Sequence, residues 1–522
     1  MNALFLCQAQ TLDLFYDLFI HLRSKKKVEK ACFVISDSNH YKKFLASHPS
    51  FESEGHLILK EWEINQTSEN AKPNYELIDS FQKRFPSSNL WPPIIADRRI
   101  MWGPNFTFRQ DYKSQHSDEE IHSILSTSLY EMDRVMREFK PDFMVSFICT
   151  TLLEYLADYF SRDAKIPFLN LRATRVENYM HFAPSVEEPS KVLKDTYKNL
   201  NLDLVSQSEL LMKTENFLEE TKKSIIKYEG VFLPNQRPPQ SKFALPKLKK
   251  IFVNIKEMLK QEYDFRFRFI KTDRHLPGFI KPIIYRIILN PIMVKRINHY
   301  LMGLYVTKDQ LGTMDYAFFP LHIEPEVTLL VYARNFTNQI EVVRSIALNL
   351  PVGMNLIVKE HPAAVGKRPI SYYKKLLEIP NVRLIAPNME TKEIIDSAKL
   401  ITTISGSVGF EGALMKKPVL LIGHAPYEIL PDNMVKRAGD YDKLSECINQ
   451  LMNDYKYNET AMKTFIYSIM ETSVPIDFYT TLLKRKEQLA FSDNADYEEE
   501  ISKLGEYTIR MVNNIKRGKY EI

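Results

Sequence analysis

One pattern limits this chain more than any other. Between Tyr316 and Ile422, five short apolar runs recur: Tyr316–Leu321, Asn355–Lys359, Val382–Ala386, Leu400–Ile404 and Pro418–Ile422. An amphipathic stretch with helical spacing follows each one: Asn338–Leu348, Ile370–Glu378, Thr391–Ala398, Val408–Met415 and Tyr441–Met452. The apolar runs lack the polar alternation of a strand with one wet face, so both faces must be covered. Short buried strands separated by helices fold as a parallel sheet with helices on each side, because parallel neighbours need a crossover connection. Five such units predict one Rossmann-like domain.

A looser version of the rhythm occupies the start of the chain. Strands are expected at Ala3–Cys7, Ala31–Ser36, His56–Trp62, Asp142–Ile148 and Pro167–Leu171. Helices are expected at Thr11–Arg23, His40–Ala46, Glu119–Phe139 and Thr150–Ser161, with an irregular polar stretch after Trp62. The expected division is a Rossmann-like domain over 1–185, a helical basic linker or insert over 186–312, the second Rossmann-like domain over 313–455, and a helical tail over 456–522. Within Gln236–Tyr300 there are 15 Lys/Arg against 4 Asp/Glu, in a chain of net charge +5. The basic character is therefore concentrated in the insert and the remainder is acidic. Two Rossmann-like domains facing across a cleft form an α/β architecture of the GT-B type.

Charge and composition exclude several classes. A pI near 8.6 is too mild to indicate nucleic-acid binding. The four cysteines, Cys7, Cys32, Cys149 and Cys447, form no CxxC pair. Neither a zinc site nor a disulfide framework is expected, and a reducing compartment fits. The apolar start Met1–Cys7 has no basic region before it and reads as a strand. No apolar run reaches the roughly 18 residues of a membrane span. A cytoplasmic location is expected, with peripheral contact to the inner face of the cytoplasmic membrane left open.

Ligands of open α/β sheets bind beyond the carboxyl ends of the strands. The loops that end strands in the second domain are therefore the informative ones. Ser405-Gly406-Ser407-Val408-Gly409-Phe410-Glu411 combines capping hydroxyls with glycines that allow close backbone approach, at a helix start able to hold phosphate. An ordinary capped helix would look the same. Lys359-Glu360-His361-Pro362 offers a cation and a hydrogen-bond donor, with Pro362 fixing the turn. Of Glu324 and Glu326, Glu324 is the expected acid/base residue, and Glu326 is expected to cap the following helix or to stand in solvent. In the first domain Arg172 and Arg175 follow a strand and could meet an anionic ligand, a structural ion pair being the alternative. Glu154 is a further acid/base candidate. No paired carboxylates stand where a metal would be held, so no metal or cofactor is expected.

The pieces FFPLHIEPE, Asn338-Gln339, LIVKEHP, Asn381-Val382-Arg383-Leu384, ISGSVGFEGALMKKPVLLIG and the following Tyr427 resemble the capsule polysaccharide biosynthesis family, which includes bacterial Kdo transferases. The resemblance covers about a quarter of the chain, and its histidine-then-serine order is similar to bacterial sialyltransferases. It implies a GT-B glycosyltransferase whose His361 and Ser405/Ser407 loop, with Lys359, Pro362, Gly406, Gly409, Glu411 and Tyr427, hold a nucleotide-sugar donor, a CMP-linked acidic sugar among the candidates. Arg172, Arg175 and Glu154 would then lie on the acceptor or acidic-sugar side, with Glu324 and His361 as catalytic groups. The implied partners are the nucleotide-sugar donor and a glycan or glycolipid acceptor, with an anionic membrane surface open and nucleic acid excluded. A sugar-nucleotide 2-epimerase of the same fold and a non-catalytic capsule assembly or export subunit are the alternatives.

Overall fold

The computed structural model describes residues 1–85, 89–101, 114, 116–187, 189–205, 207–223, 228–230, 289–485, 488, 491 and 495–518. Most of the basic stretch Gln236–Tyr300 lies outside the described residues, and so does its expected membrane face.

The first sheet is built from β1 (Asn2–Cys7), β2 (Lys30–Ile35), β3 (Leu57–Lys60), β4 (Phe143–Phe147), β5 (Phe168–Ala173) and β6 (Tyr179–Ala183). Its spatial order β3-β2-β1-β4-β5 is parallel throughout, and β6 then turns back antiparallel to β5. This is a doubly wound order, with its switch point between β1 and β4. Alternate residues of β1 feed opposite cores. Ala3, Phe5 and Cys7 face the layer of helix Thr11–Ser24, and Leu4 and Leu6 face that of helices Asp118–Phe139 and Leu152–Ala164.

Two elements depart from the sequence expectation. The strand read as His56–Trp62 stops at Lys60, and helix Glu61–Ser68 begins at once. Its inward face is Glu61, Trp62, Ile64, Asn65 and Ser68, spaced as a helix but polar at three positions, which hid it. The stretch read as irregular also holds helices Tyr75–Arg84, Trp91–Ala96 and Arg98–Met101.

The second sheet comprises β7 (Tyr305–Val306), β8 (Tyr316–Pro320), β9 (Asn355–Lys359), β10 (Val382–Ile385), β11 (Leu400–Thr403), β12 (Val419–Leu421) and β13 (Val435–Arg437). All pairs are parallel, in the order β13-β12-β11-β8-β9-β10-β7. The five expected strands are present, and two- and three-residue strands too short to read extend both edges. Helix Asn290–Leu301, in the region read as linker, buries Ile297 and Leu301 in the core of this sheet.

The region read as a separate tail returns to the first domain. Helix Glu459–Thr472 packs against helices Lys191–Asn199 and Glu209–Lys223. Then β14 (Val474–Pro475) pairs antiparallel with β6, and helix Tyr497–Lys516 lies on helix Thr11–Ser24. Among the described residues no helix is long and apolar enough to cross a membrane.

Candidate functional site

The switch point of the second sheet lies between β8 and β11, so the loops leaving these two strands meet at the rim. Gly406 packs directly on the His322 ring; a Cβ there would stand 3.2 Å from Cε1. Helix Ser407–Leu414 starts at Gly406 without any side-chain cap. Its first N–H groups are left pointing into the rim with the positive end of the helix dipole. The start is braced from below. The Gly406 N–H donates to Thr403 Oγ1 at 3.1 Å, and the buried Tyr427 hydroxyl donates to the Gly406 carbonyl at 2.6 Å. Gly409 is required by the same contact, since a Cβ there would lie 2.3 Å from Tyr427 Oη. Ser405 spends its hydroxyl on the His424 carbonyl, whereas Ser407 keeps its own free among the described residues. Glu411 stands one turn further along, half-buried, its charge acting on Tyr427. Of the hydroxyls and the ring expected to touch a ligand, Ser405 and Tyr427 shape the loop and Ser407 faces outward.

His361 lies at the neighbouring rim, after β9, with part of its surface open to solvent and part of the ring packed against the domain. Its Nδ1 accepts from the Ala363 N–H at 3.1 Å, in the short turn opened by Pro362. That bond fixes the tautomer, so Nε2 carries the proton and is the outward donor. Withdrawal of the ring from water lowers its pKa. Arg368, Lys367 and Lys359 act the same way and Glu360 opposes them. Beside it, burial drives His322 down to about 3, aided by the charges of Arg175, His361 and Arg368. Both rings are therefore neutral at ordinary pH. His322 Nε2 is shielded and meets no partner.

Lys359 does not join them. Its ammonium donates to the Met389 carbonyl at 2.5 Å and Thr391 Oγ1 at 2.8 Å, on the far side of β9. Glu324 is likewise committed. Its carboxylate accepts from Arg368 at 3.2 Å and from Gln339. The fully buried Arg368 also pairs with Glu360 and donates to the His322 carbonyl at 2.6 Å. Gln339 grips the same loop, accepting from the His322 N–H at 2.7 Å and donating to its carbonyl at 3.0 Å. Glu324, Arg368, Glu360 and Gln339 thus form a frame that holds His322. Glu326, expected as a cap or in solvent, is the carboxylate left open. It makes no ion pair within 4 Å among the described residues, and burial raises its pKa while Arg175 and Arg98 of the first domain pull it down.

The first domain meets this rim directly. Arg98 donates to the Pro325 carbonyl at 3.3 Å, and Val331 is buried in a first-domain core. Arg172 is used structurally. It donates to Asn170 at 2.7 Å and to the Ser185 and Val186 carbonyls at 2.6 Å each, and it stacks on Tyr332. Arg175, in the β5–β6 turn, acts by its charge on His322, Tyr427 and Glu326 of the second domain. Glu154 lies under the first domain's own switch point, where it closes a capping box with Thr151 and accepts from Gln8. Burial, then Glu61, pushes its pKa up to about 8. Among the described residues no group of three or more His, Cys, Asp or Glu is placed to hold a metal.

The family model described as Capsule polysaccharide biosynthesis protein matches residues 260–431, which include every second-domain loop described above. Protein FixF of Sinorhizobium fredii (strain NBRC 101917 / NGR234) is 26% identical over 140 residues, 26% of this chain and 32% of that protein. The chain thus spans about a third of the length of the curated relative it matches. Two solved structures similar in fold are Thermosulfurimonas dismutans KpsC, beta Kdo 2,4 transferase, and UDP-GlcNAc 2-epimerase from Neisseria meningitidis. KpsC shows 12% identity and a TM-score of 0.35, over 71% of this chain and 87% of that one. The epimerase shows 13% identity and a TM-score of 0.22, over 90% of this chain and 100% of that one.

Proposed function

We propose that this protein, whose second domain carries a capsule polysaccharide biosynthesis segment, is a glycosyltransferase of capsule or surface polysaccharide synthesis. In this reading it moves a sugar from a nucleotide-activated donor, a CMP-linked acidic sugar among the candidates, to a growing polysaccharide or lipid-linked acceptor. One observation carries the reading. An uncapped helix start opens on the cleft beside two histidines held neutral, one of them with a fixed Nε2–H donor. Preorganised donors of this kind stabilise the charge that gathers on a departing phosphate as the glycosidic bond breaks. His361 and Ser407 would hold the phosphate, and Gly406 and Gly409 would let it approach the backbone.

The acceptor hydroxyl needs a proton acceptor, and Glu326 suits that role better than Glu324. A carboxylate tuned upward by burial, with no ion pair among the described residues, is available to take a proton, while one locked to Arg368 is not. The reading is tested by titrating the purified protein with CMP, UDP and GDP, followed by product analysis with the matching donor sugars. Binding should be lost in His361→Ala. Glu326→Gln should keep nucleotide affinity and lose roughly 10²–10⁴ in turnover. A donor consumed without any acceptor, with a 2-epimer as product, would replace the transferase reading by the epimerase one.

A further inference from the structure

The charge balance of the phosphate site leaves a gap in the second domain. Lys359, the cation expected there from sequence, is turned away to Met389 and Thr391. Arg368 is enclosed by Glu360 and Glu324. His322 and His361 are neutral. Among the described residues of the second domain that leaves Lys367, whose charge acts on His361, and further counter-charge on the His322 side would strengthen the hold on a leaving phosphate.

A cation does arrive, from the other domain. Arg175 sits in the turn between β5 and β6 with its backbone in the left-handed region, φ +70°. The turn is fixed by Thr174, whose hydroxyl donates to the Tyr179 carbonyl at 2.8 Å and accepts from the Val176 N–H at 3.2 Å. Val176 and Tyr179 are buried in one apolar cluster with Phe410 and Tyr427, which anchors the turn in the same core as the helix. The Arg175 charge is felt by His322, Tyr427 and Glu326. Its Nη1 is shielded from solvent and has no acceptor, as is true of His322 Nε2. An unpaired, shielded imidazole nitrogen lies against an uncapped helix start, and an unpaired, shielded guanidinium nitrogen belongs to the residue whose charge reaches that ring. Neither nitrogen is satisfied by the protein, and an anionic oxygen would satisfy both.

We propose that the donor-phosphate site is composite: Arg175 of the first domain supplies its positive charge, together with His322 and the helix start of the second. This rests on the nucleotide-sugar reading above and adds the domain and the residue that supply the cation. It moves Arg175 from the acceptor or acidic-sugar side, where the family resemblance had placed it, to the donor phosphate.

The experiment titrates CMP and UDP, with cytidine and uridine as uncharged counterparts, into the full chain and into Arg175→Gln, Arg175→Lys and His361→Ala. Arg175→Gln should weaken nucleotide binding at least tenfold and leave nucleoside binding unchanged, and Arg175→Lys should recover most of the loss. The nucleotide affinity of the unmodified protein should also fall with salt more steeply than that of Arg175→Gln. Equal weakening of nucleotide and nucleoside would mean that Arg175 only holds its turn, and the proposal falls. Nucleotide binding intact in Arg175→Gln but lost in His361→Ala would overturn the composite site and leave the phosphate reading standing. No nucleotide binding by the unmodified protein would remove that reading and this one with it.

Discussion

Substituting Gly409 by alanine tests whether the helix start is shaped by contact or merely tolerates glycine. The new Cβ would stand 2.3 Å from Tyr427 Oη, 2.8 Å from Cζ and 2.9 Å from Thr403 Cγ2. Overpacking of this kind costs about 1–3 kcal/mol. Pushing the phenol aside also breaks its 2.6 Å bond to the Gly406 carbonyl, worth about 1 kcal/mol. Alanine gains about 1 kcal/mol over glycine within a helix. The net expectation is a loss of about 1–3 kcal/mol, read as a lower urea midpoint by circular dichroism, with CMP binding weakened because the loop has moved. Tyr427→Phe removes the closest atom. In that background the alanine should cost at least about 1 kcal/mol less, a coupling typical of touching residues. A Gly409→Ala protein as stable as the parent, with additive effects in the double variant, would refute the contact argument.

Other outcomes follow from the same geometry. Arg368→Met leaves Glu324 and Glu360 buried without their cation and should cost about 3–5 kcal/mol in urea unfolding; a cost below about 1 kcal/mol would mean the frame is not an ion-paired unit. Glu154 binds its proton more tightly folded, at about 8, than at the 4.5 of the open chain. That contribution is complete below about pH 4.5 and is lost as pH rises through 8. The stability of the parent relative to Glu154→Gln should therefore fall across this window by on the order of a few kcal/mol, and a flat difference would contradict the assignment. Transfer should persist in EDTA, with helix start, His361 and Arg175 serving the phosphate; loss with EDTA and rescue by magnesium or manganese would reveal a carboxylate ligand not recognised above.

The rim of the second domain was legible because strand and loop are written in different alphabets there, apolar runs against His, Gly and Ser. Side-chain direction was legible only in part. Lys359 shares the parity of Ile357, whose face is covered by helix Thr391–Ser397, so period-2 counting alone turns it away from the cleft. Glu154 stands three residues after Thr151, a capping-box spacing visible in the sequence. The proposed preference for Glu326 over Glu324 was not legible. It depends on Arg368, a partner 44 residues away that no local pattern links to it. The composite role of Arg175 depends on a neighbour still more distant in sequence, brought close by packing between domains.

The return of the chain to its first domain bears on how the protein is made. Leu14, Leu18 and Leu22 on helix Thr11–Ser24 belong to a core completed by Leu504, Met511 and Ile515, and the free edge of β6 is taken by Val474 and Pro475. A ribosome that has finished the first sheet has therefore not yet made its outer layer. More than three hundred residues separate Ala183 from Tyr497 and must be translated before that oily face is covered, and until then it is exposed to chaperones and to other nascent chains. Domains usually mature in order of synthesis; here the earliest begun is among the last to close.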